Sequence, residues 1–440
     1  MAQTDTIFAL SSGQPPAGLA VIRLSGPLSS KVLEKLCGSL TPHRQAGLRL
    51  IHDLEDGEII DQALTLWFPG PNSFTGEDCV EFHCHGGRAV IEKMLSVLSN
   101  INGCRLAEPG EFTQRAFGNG KIDLLEVEGL SDLISADTES QRKLAFNHFS
   151  GKVSSRFSDW RERLIRVRAF IEAELDFADE EDVPGSISDQ VWLTVQTLIA
   201  EMEKGIESSR RGEQIRRGYS IVLVGPPNSG KSSLLNCLAQ RDVAIVTPIA
   251  GTTRDSIDVL LDLEGYSVRV TDTAGLRETD DEIEKIGIGR TIDKIEEADL
   301  LIVFNSDGPK TDYESAGNTI NIWNKSDLLE DDEKDTIRAR YDVLVSARSE
   351  EGISDLINLI KKCASEGFSD TEDILVTRQR HLGLLREGIS SLRQSLDESK
   401  DIELRSEDLR LASQALGRII GTIDIEDMYD KIFREFCIGK

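Results

Sequence analysis

No apolar run in this sequence approaches the ~18 residues that a membrane-spanning helix requires. The longest, such as Ile221–Val224 and Leu300–Phe304, are the length of a strand. Basic charge is also scarce: 50 Lys and Arg stand against 77 Asp and Glu, a net charge of −27. That deficit argues against a broad phosphate-neutralising face, so any RNA contact is local or delegated to a partner. Cysteines number seven, an odd count without framework spacing, which points to reduced thiols and a cytoplasmic protein. The opening Met-Ala-Gln-Thr-Asp-Thr-Ile-Phe-Ala-Leu has no basic residue ahead of its short apolar stretch, unlike a signal peptide. What is present is ordinary for a soluble globular protein: 39% apolar and 29% charged residues in a chain of 440, long enough for about two to four domains.

Residues 1–119 mix β-like runs (Thr6–Leu10, Leu19–Leu24, Leu64–Phe68, Cys79–Cys84) with helical stretches such as Ala89–Leu98 and turn clusters, the pattern of an α+β domain. From 120 to 216 the pattern is helical. Phe157, Trp160, Leu164, Val167, Ile171 and Leu175 recur every three or four residues along one helix face, an acidic break with Pro184 follows, and a second helix is predicted over Ser188–Ser208. Arg210–Gly218 reads as a basic polar linker. Alternating strands and helices then run from 217 to 371, predicting a parallel sheet with crossover helices. Helical periodicity returns in 372–440, at Leu382, Leu385, Ile389, Leu392 and Leu396. The simplest arrangement is one helical domain assembled from both sides of an inserted α/β domain; two separate helical domains also fit.

The strand Tyr219–Val224 runs into Gly225-Pro-Pro-Asn-Ser-Gly-Lys231-Ser232, a phosphate loop followed by an apolar helix. Backbone N–H groups through Asn228, Ser229, Gly230, Lys231, Ser232 and Ser233 form an anion-binding nest at a helix N-terminus. Lys231 places a point charge on the β- and γ-phosphates, and Ser232 offers an oxygen to Mg²⁺. Three elements follow in order, each after a predicted strand. Asp272-Thr273-Ala274-Gly275 supplies a carboxylate near the Mg²⁺ shell and a Gly275 amide for the γ-phosphate. Asn324-Lys325-Ser326-Asp327 supplies the Asp327 carboxylate, which pairs with the N1–H and exocyclic amine of guanine and leaves adenine unsatisfied. Ser346-Ala347-Arg348 matches the last base-contacting loop of GTPases. Four elements in this order identify GTP as the nucleotide.

Hydrolysis is less conventional. The position after Asp272-Thr-Ala-Gly275, often a water-orienting glutamine, is Leu276. Asp280, Asp281, Glu282 and Glu284 are either a solvated acidic loop or the source of a substitute carboxylate. Gly251-Thr252-Thr253-Arg254-Asp255 suits a first switch, with Thr253 completing Mg²⁺ coordination; Arg254 is an internal arginine finger or a surface ion-pair residue. His83-Cys84-His85 with Cys79 fits no zinc spacing well, since a strand would split these groups between two faces. Cys437 near the terminus has no legible role.

The phosphate loop with Asn228, the run Val246-Thr-Pro-Ile-Ala-Gly-Thr-Thr-Arg-Asp255 and Asp272-Thr-Ala-Gly-Leu-Arg277 resemble those of the tRNA-modification GTPases called the MnmE or TrmE family. So do two elements that ordinary GTPases lack, Pro109-Gly-Glu-Phe-Thr-Gln-Arg-Ala-Phe117 and the terminal Phe436-Cys-Ile-Gly-Lys440. The resemblance covers the whole chain. It implies a multidomain α+β and α/β architecture: an N-terminal folate-binding, dimerising domain, a discontinuous helical domain and an inserted Ras-like P-loop G domain. It implies a K⁺ site from Asn228, Thr247, Ile249 and Thr252, water orientation by Glu284, and contacts to a reduced folate (5-formyl- or 5,10-methylene-tetrahydrofolate) from Arg23, Glu81, Lys121 and Lys440. It also implies a homodimer working with an FAD- and NADH-dependent partner of the MnmG or GidA type, in a heterotetramer or larger assembly that contacts tRNA mainly through that partner. A regulatory or ribosome-assembly GTPase switch is the alternative that the G domain alone leaves open.

Overall fold

A computed structural model describes residues 5–176, 187–241, 243–245, 258–272, 294–305, 318–365, 373–423, 432–433, 436 and 438–439. The chain divides into two compact units: residues 1–131 with 154–158 and 416–440, and residues 132–153 with 159–415. Among the described residues no helix is long and apolar enough to cross a membrane.

The first unit is built on a six-stranded sheet of β1 (Thr6–Leu10), β2 (Ala17–Ser25), β3 (Gly47–His52), β4 (Ile59–Phe68), β5 (Cys79–Gly86) and β6 (Cys104–Leu106). Its order is β3-β4-β5-β2-β1-β6, antiparallel throughout except for the parallel β1–β6 pair. Alternation along the strands sends Phe8, Ile22, Leu24, Val80 and Phe82 to one face. There they bury against Val32, Leu33 and Leu36 of the helix Ser29–Cys37 and Met94 and Leu98 of the helix Arg88–Ser99. On the opposite face Ile7 and Ala9 pack with Ala107, Phe112 and Phe74. The β3–β4 end of that face leaves Leu48 and Leu64, directly paired in register, exposed to solvent. The chain's last described residues return to this unit. Phe433 and Phe436 cluster with Val127 and Phe117, and Ile438 bridges to Pro109. A side chain at Gly110 would collide with the Phe433 carbonyl, and one at Gly439 with the Leu10 carbonyl, which is why glycine stands at both.

In the second unit, β7 (Tyr219–Val224), β8 (Asp258–Leu263), β9 (Tyr266–Asp272), β10 (Leu300–Asn305), β11 (Asn318–Trp323) and β12 (Val343–Leu344) form a sheet of order β12-β11-β10-β7-β9-β8. It is not wholly parallel as expected: β8 runs antiparallel to β9. The two-residue turn Glu264-Gly265, with φ of 55° and 92°, is the left-handed geometry that closes a tight hairpin. The buried faces of β7, β9, β10 and β11 meet Leu234, Leu235 and Leu238 of the helix Lys231–Ala239 and Ile353, Leu356 and Ile360 of the helix Ile353–Ser365. Helices flank this sheet in sequence on both sides. The predicted face Trp160, Leu164, Val167 and Ile171 of the helix Lys152–Asp176 is buried, and the helices Ile187–Glu207 and Gln379–Ser395 pack together through Gly388 over Met202 and an Arg393–Glu203 ion pair.

The expected linker at Arg210–Gly218 is instead the helix Ser209–Arg217. Its arginines hide the signal, since only Gly212 and Ile215 are buried. A Cβ at Gly212 would lie 2.3 Å from the Val376 carbonyl oxygen, so the helix is fixed by close packing on residues 374–377, which a local sequence window does not contain.

Candidate functional site

The phosphate loop leaves β7 at Gly225, where a side chain would strike Phe304, and turns through Asn228 (φ 61°) and Gly230 (φ 93°) into the helix Lys231–Ala239. Lys231 is buried and folds back over the loop, its ammonium donating to the carbonyls of Gly225 and Pro226, both at 2.9 Å. Parallel pairing of β7 with β9 sets Leu223 opposite Asp272. Asp272 thereby comes beside the loop, and Ser232 Oγ donates to Asp272 Oδ2 at 2.6 Å. These are two hard oxygen ligands of the kind Mg²⁺ takes, brought together from positions 40 residues apart.

The base-reading elements sit at the ends of β11 and β12. Asn324 Nδ2 donates to the Ser229 carbonyl at 2.7 Å, tying this element to the phosphate loop. Asn324 Oδ1 and Ser229 Oγ are buried and find no hydrogen-bond partner among the described residues. A polar atom buried without a partner is costly in a folded chain and is expected where a ligand completes the set. Lys325 takes a left-handed conformation (φ 63°) and Asp327 is exposed. One Asp327 oxygen accepts from Ser346 Oγ at 2.6 Å, so Ser346 orients the carboxylate. Glu351, which no sequence motif singles out, braces both loops. Ser326 Oγ donates to its carboxylate at 3.1 Å, Lys334 pairs with it, and its carbonyl accepts from the Ser346 amide at 2.9 Å. Hydrogen bonds from Lys334 and Ser326 hold its carboxyl below the usual glutamate range. Ala347 packs on the sheet core, and Arg348, Ser233 and Asn228 are exposed. Thr247, Ile249, Thr252, Thr253, Arg254, Thr273, Ala274, Gly275, Leu276, Asp280, Asp281, Glu282, Glu284, Cys437 and Lys440 lie outside the described residues.

A second cluster occupies the first unit. Arg23 on β2 lies opposite Glu81 on β5 in register, and its guanidinium donates to Glu81 Oε1 at 3.0 Å. Glu81 Oε2 pairs with His83 Nε2 at 3.1 Å. Burial alone would raise the Glu81 carboxyl, but Arg23 and His83 outweigh it and hold the pKa below the ordinary glutamate value. Arg23 lies 5.6 Å from the Phe74 ring centroid and 5.9 Å from that of Phe112. Lys121 is exposed, its aliphatic stem near Gly76. Cys84 falls on the opposite face of β5 from His83 and His85, and His85 pairs with Asp61 at 2.8 Å. Among the described residues no three His, Cys, Asp or Glu side chains are placed to hold a metal ion.

Beneath the motif Pro109–Phe117 lies a network of which only the Glu111–Arg115 pair, one helical turn apart, is a local pattern. Arg115, whose side chain is 1% exposed, pairs with Asp5, Glu77 and Glu111. Arg105 pairs with Asp5 and Glu111, and Glu77 accepts from Ser25 Oγ, which contacts Thr75.

The phosphate loop, the Ser232–Asp272 pair and the Ser346-oriented Asp327 on one mixed sheet define a P-loop GTPase. A family profile described as "MnmE helical domain" matches residues 124–437, and one described as "GTP-binding protein TrmE N-terminus" matches residues 6–121. The sequence is 50% identical over 441 residues to the tRNA modification GTPase MnmE of Brucella anthropi (99% of this chain, 98% of the relative). It is likewise 50% identical over 440 residues to that of Brucella suis biovar 1 (99% and 98%). It also resembles Era of Aquifex aeolicus bound to GDP and aluminium fluoride, at 22% identity and a TM-score of 0.27, over 41% of this chain and 68% of that one. The chain belongs to the tRNA modification GTPase MnmE family.

Proposed function

We propose that this GTPase works in the cytoplasm as a homodimer with an FAD- and NADH-dependent partner of the MnmG or GidA type. Together they add an aminomethyl or carboxymethylaminomethyl group to carbon 5 of the wobble uridine in tRNA. The proposed domains are residues 1–119 (folate binding and dimerisation), 120–216 with 372–440 (helical) and 217–371 (G domain). The observation that carries the reading is the Arg23–Glu81–His83 cluster beside Phe74 and Phe112. A carboxylate held ionised accepts from pterin N–H groups, the partly exposed Phe74 ring suits the flat pterin, with the buried Phe112 backing Arg23, and basic groups suit the glutamate tail. Lys121 and Lys440 complete the basic set, and the packing of Gly439 on the Leu10 carbonyl supports including the residue after it. When bound, the reduced folate supplies the one-carbon unit. The exposed Leu48 and Leu64 on the same sheet face suit burial against a second copy. The net charge of −27 supports tRNA contact made mainly through the partner.

In the G domain, Lys231 and the loop amides hold the β- and γ-phosphates, Ser232 and Thr253 with Asp272 nearby hold Mg²⁺, and Asn324, Lys325 and Asp327 with Ser346, Ala347 and Arg348 hold guanine. Bound K⁺, held by Asn228, Thr247, Ile249 and Thr252, supplies positive charge beside the phosphates. Gly275 contacts the γ-phosphate and Glu284 orients the attacking water. The folate residues and the phosphate loop belong to different units of the chain, so hydrolysis drives a conformational cycle and not the carbon chemistry itself.

Calorimetric titration of the purified chain with 5-formyltetrahydrofolate tests this reading. Binding should weaken about tenfold or more in Arg23→Met and in the exposed Lys121→Met, the scale of one charge-assisted contact. A wild-type chain that binds GTP but no reduced folate would instead favour a GTPase switch without one-carbon chemistry.

A further inference from the structure

Among the described residues, hydrogen bonds join the G-domain sheet to the neighbouring helices of its unit at two places of unequal strength. At one, the buried Asp299 carboxylate before β10 accepts from Gln214 Nε2 at 2.8 Å, from Arg217 Nη2 at 3.0 Å to both oxygens, and from the Ser220 amide at 3.0 Å. This clamps β7 and β10 to the helix Ser209–Arg217 by charge-assisted bonds, the strong kind. At the other, the tip of the β8–β9 hairpin meets the first turn of the helix Glu139–Phe149. Both donors of Ser140, its amide at 3.2 Å and its hydroxyl at 2.5 Å, converge on one acceptor, the Gly265 carbonyl. The turn is shaped for that contact: Gly265 has φ 92°, and its own amide is tied to Asp262 Oδ1 at 2.6 Å. Lys361 pairs with Glu264 at the same turn but belongs to the G-domain sheet's own helix.

We infer that Ser140 is a positioning residue through which the helix Glu139–Phe149 senses the nucleotide state of the G domain. β8 and β9 are the outer strands on their side of the sheet, bonded to the clamped β7 through β9 and packed on the sheet core through Val259, Leu261, Val268 and Val270. The sequence before β8 carries the first-switch residues Thr252 and Thr253, and β9 ends at Asp272 beside Ser232. Any change that Mg²⁺ and the γ-phosphate impose at Asp272 therefore acts on one end of a seven-residue strand whose other end, about 20 Å away, rests on Ser140. The hairpin's strands are packed in the sheet core and its tip is paired to Lys361. A shift along β9 is therefore passed on at the tip, where the single carbonyl shared with Ser140 is a contact weak enough to change. The helix that receives it is well formed on its own terms: Thr138 and Gln141 make a capping box, Gln141 Nε2 donates to the Arg216 carbonyl, and Arg216 Nε donates to the Thr377 carbonyl. A displacement at Ser140 thus reaches both chain crossings between the helices and the G domain. The inference rests only on the GTP cycle and not on the tRNA or folate chemistry.

Hydrogen exchange of the purified full chain, in GDP and in a non-hydrolysable GTP analogue, reads this directly. In wild type and in Ser140→Thr, which keeps both donors, exchange across residues 139–149 should differ between the two nucleotides by about fivefold, the lower end of site-to-site coupling. Ser140→Asp faces the Gly265 carbonyl with an acceptor while leaving an acid in the first helical turn, where it is favourable. It should abolish the difference while GTP turnover stays within about twofold. A wild-type helix blind to the nucleotide, a difference that persists in Ser140→Asp, or an equal loss of protection in both nucleotide states would each overturn the inference.

Discussion

Replacing Arg115 by methionine is a demanding test of how the first unit is held together. The guanidinium donates to Asp5 Oδ1 at 3.0 Å, to the Asp5 carbonyl at 3.1 Å, to Glu77 at 3.1 Å and to Glu111 Oε1 at 3.0 Å, with its side chain 1% exposed. Removing one partner from a buried ion cluster leaves uncompensated carboxylates, at a cost of about 3–5 kcal/mol. Glu111 keeps Arg105, and Asp5 is partly exposed, which places the expected loss near the lower end. At ~2 cal/mol/K per residue over about 160 residues, ~3 kcal/mol lowers the unit's Tm by about 9 °C. The sign with pH follows from the carboxylates. Burial would raise Asp5 and Glu111, but Arg105 and Arg115 bring both below their ordinary values. Their stabilising contribution is therefore present above the unfolded pKa and lost as pH falls through the folded values. Scanning calorimetry of the full chain from pH 7 to about pH 3 should show the Arg115→Met deficit shrinking as acid neutralises the stranded groups and then reaches the lowered wild-type carboxylates. Adding Glu111→Gln should recover part of it at pH 7. A Tm within about 2 °C of wild type at pH 7, or a deficit independent of pH, would refute the reasoning.

Three other outcomes are expected. Asp327→Asn should weaken GTP binding at least about a hundredfold and improve binding of a xanthine nucleotide, whose C2 carbonyl suits an amide donor; nucleotide titrations check both. Asp123 caps the helix Leu124–Ile134 by accepting from the Glu126 amide, yet burial raises its pKa above the ordinary value. Its ionised form is thus a liability at pH 7 that fades as pH falls through that raised pKa. Asp123→Asn keeps the cap and should stabilise the chain by about 0.5–2 kcal/mol at pH 7 but not in acid, as thermal melts would show. Glu284→Ala should leave GTP affinity intact and slow single-turnover hydrolysis by about 10²-fold or more, and an unchanged rate would remove Glu284 from the mechanism.

Local signals make much of the fold and site legible. β1 falls on Thr6–Leu10 as its apolar run predicts, and each described nucleotide element sits at a strand end because a doubly wound sheet places ligands there. Three kinds of feature stay hidden. β3 escapes a pattern search because Leu48 and Leu50 turn apolar side chains outward, blurring the usual in–out contrast. The direction of β8 escapes it because its antiparallel partner is fixed by a two-residue turn within a segment whose pattern is α/β. The Arg115 network is hidden beyond its i,i+4 pair with Glu111, because its other partners Glu77 and Asp5 lie 38 and 110 residues away in sequence. Arg23 and Glu81 pair across 58 residues, and only the family resemblance singles them out.

The most direct test of the proposed function is mass spectrometry of tRNA nucleosides from cells lacking this protein and any second copy of its gene. The predicted result is loss of the carbon-5 wobble-uridine modification, restored by the wild-type gene but not by Lys231→Ala. A nucleoside profile unchanged by the deletion would contradict it, leaving a GTPase whose cycle serves some other process.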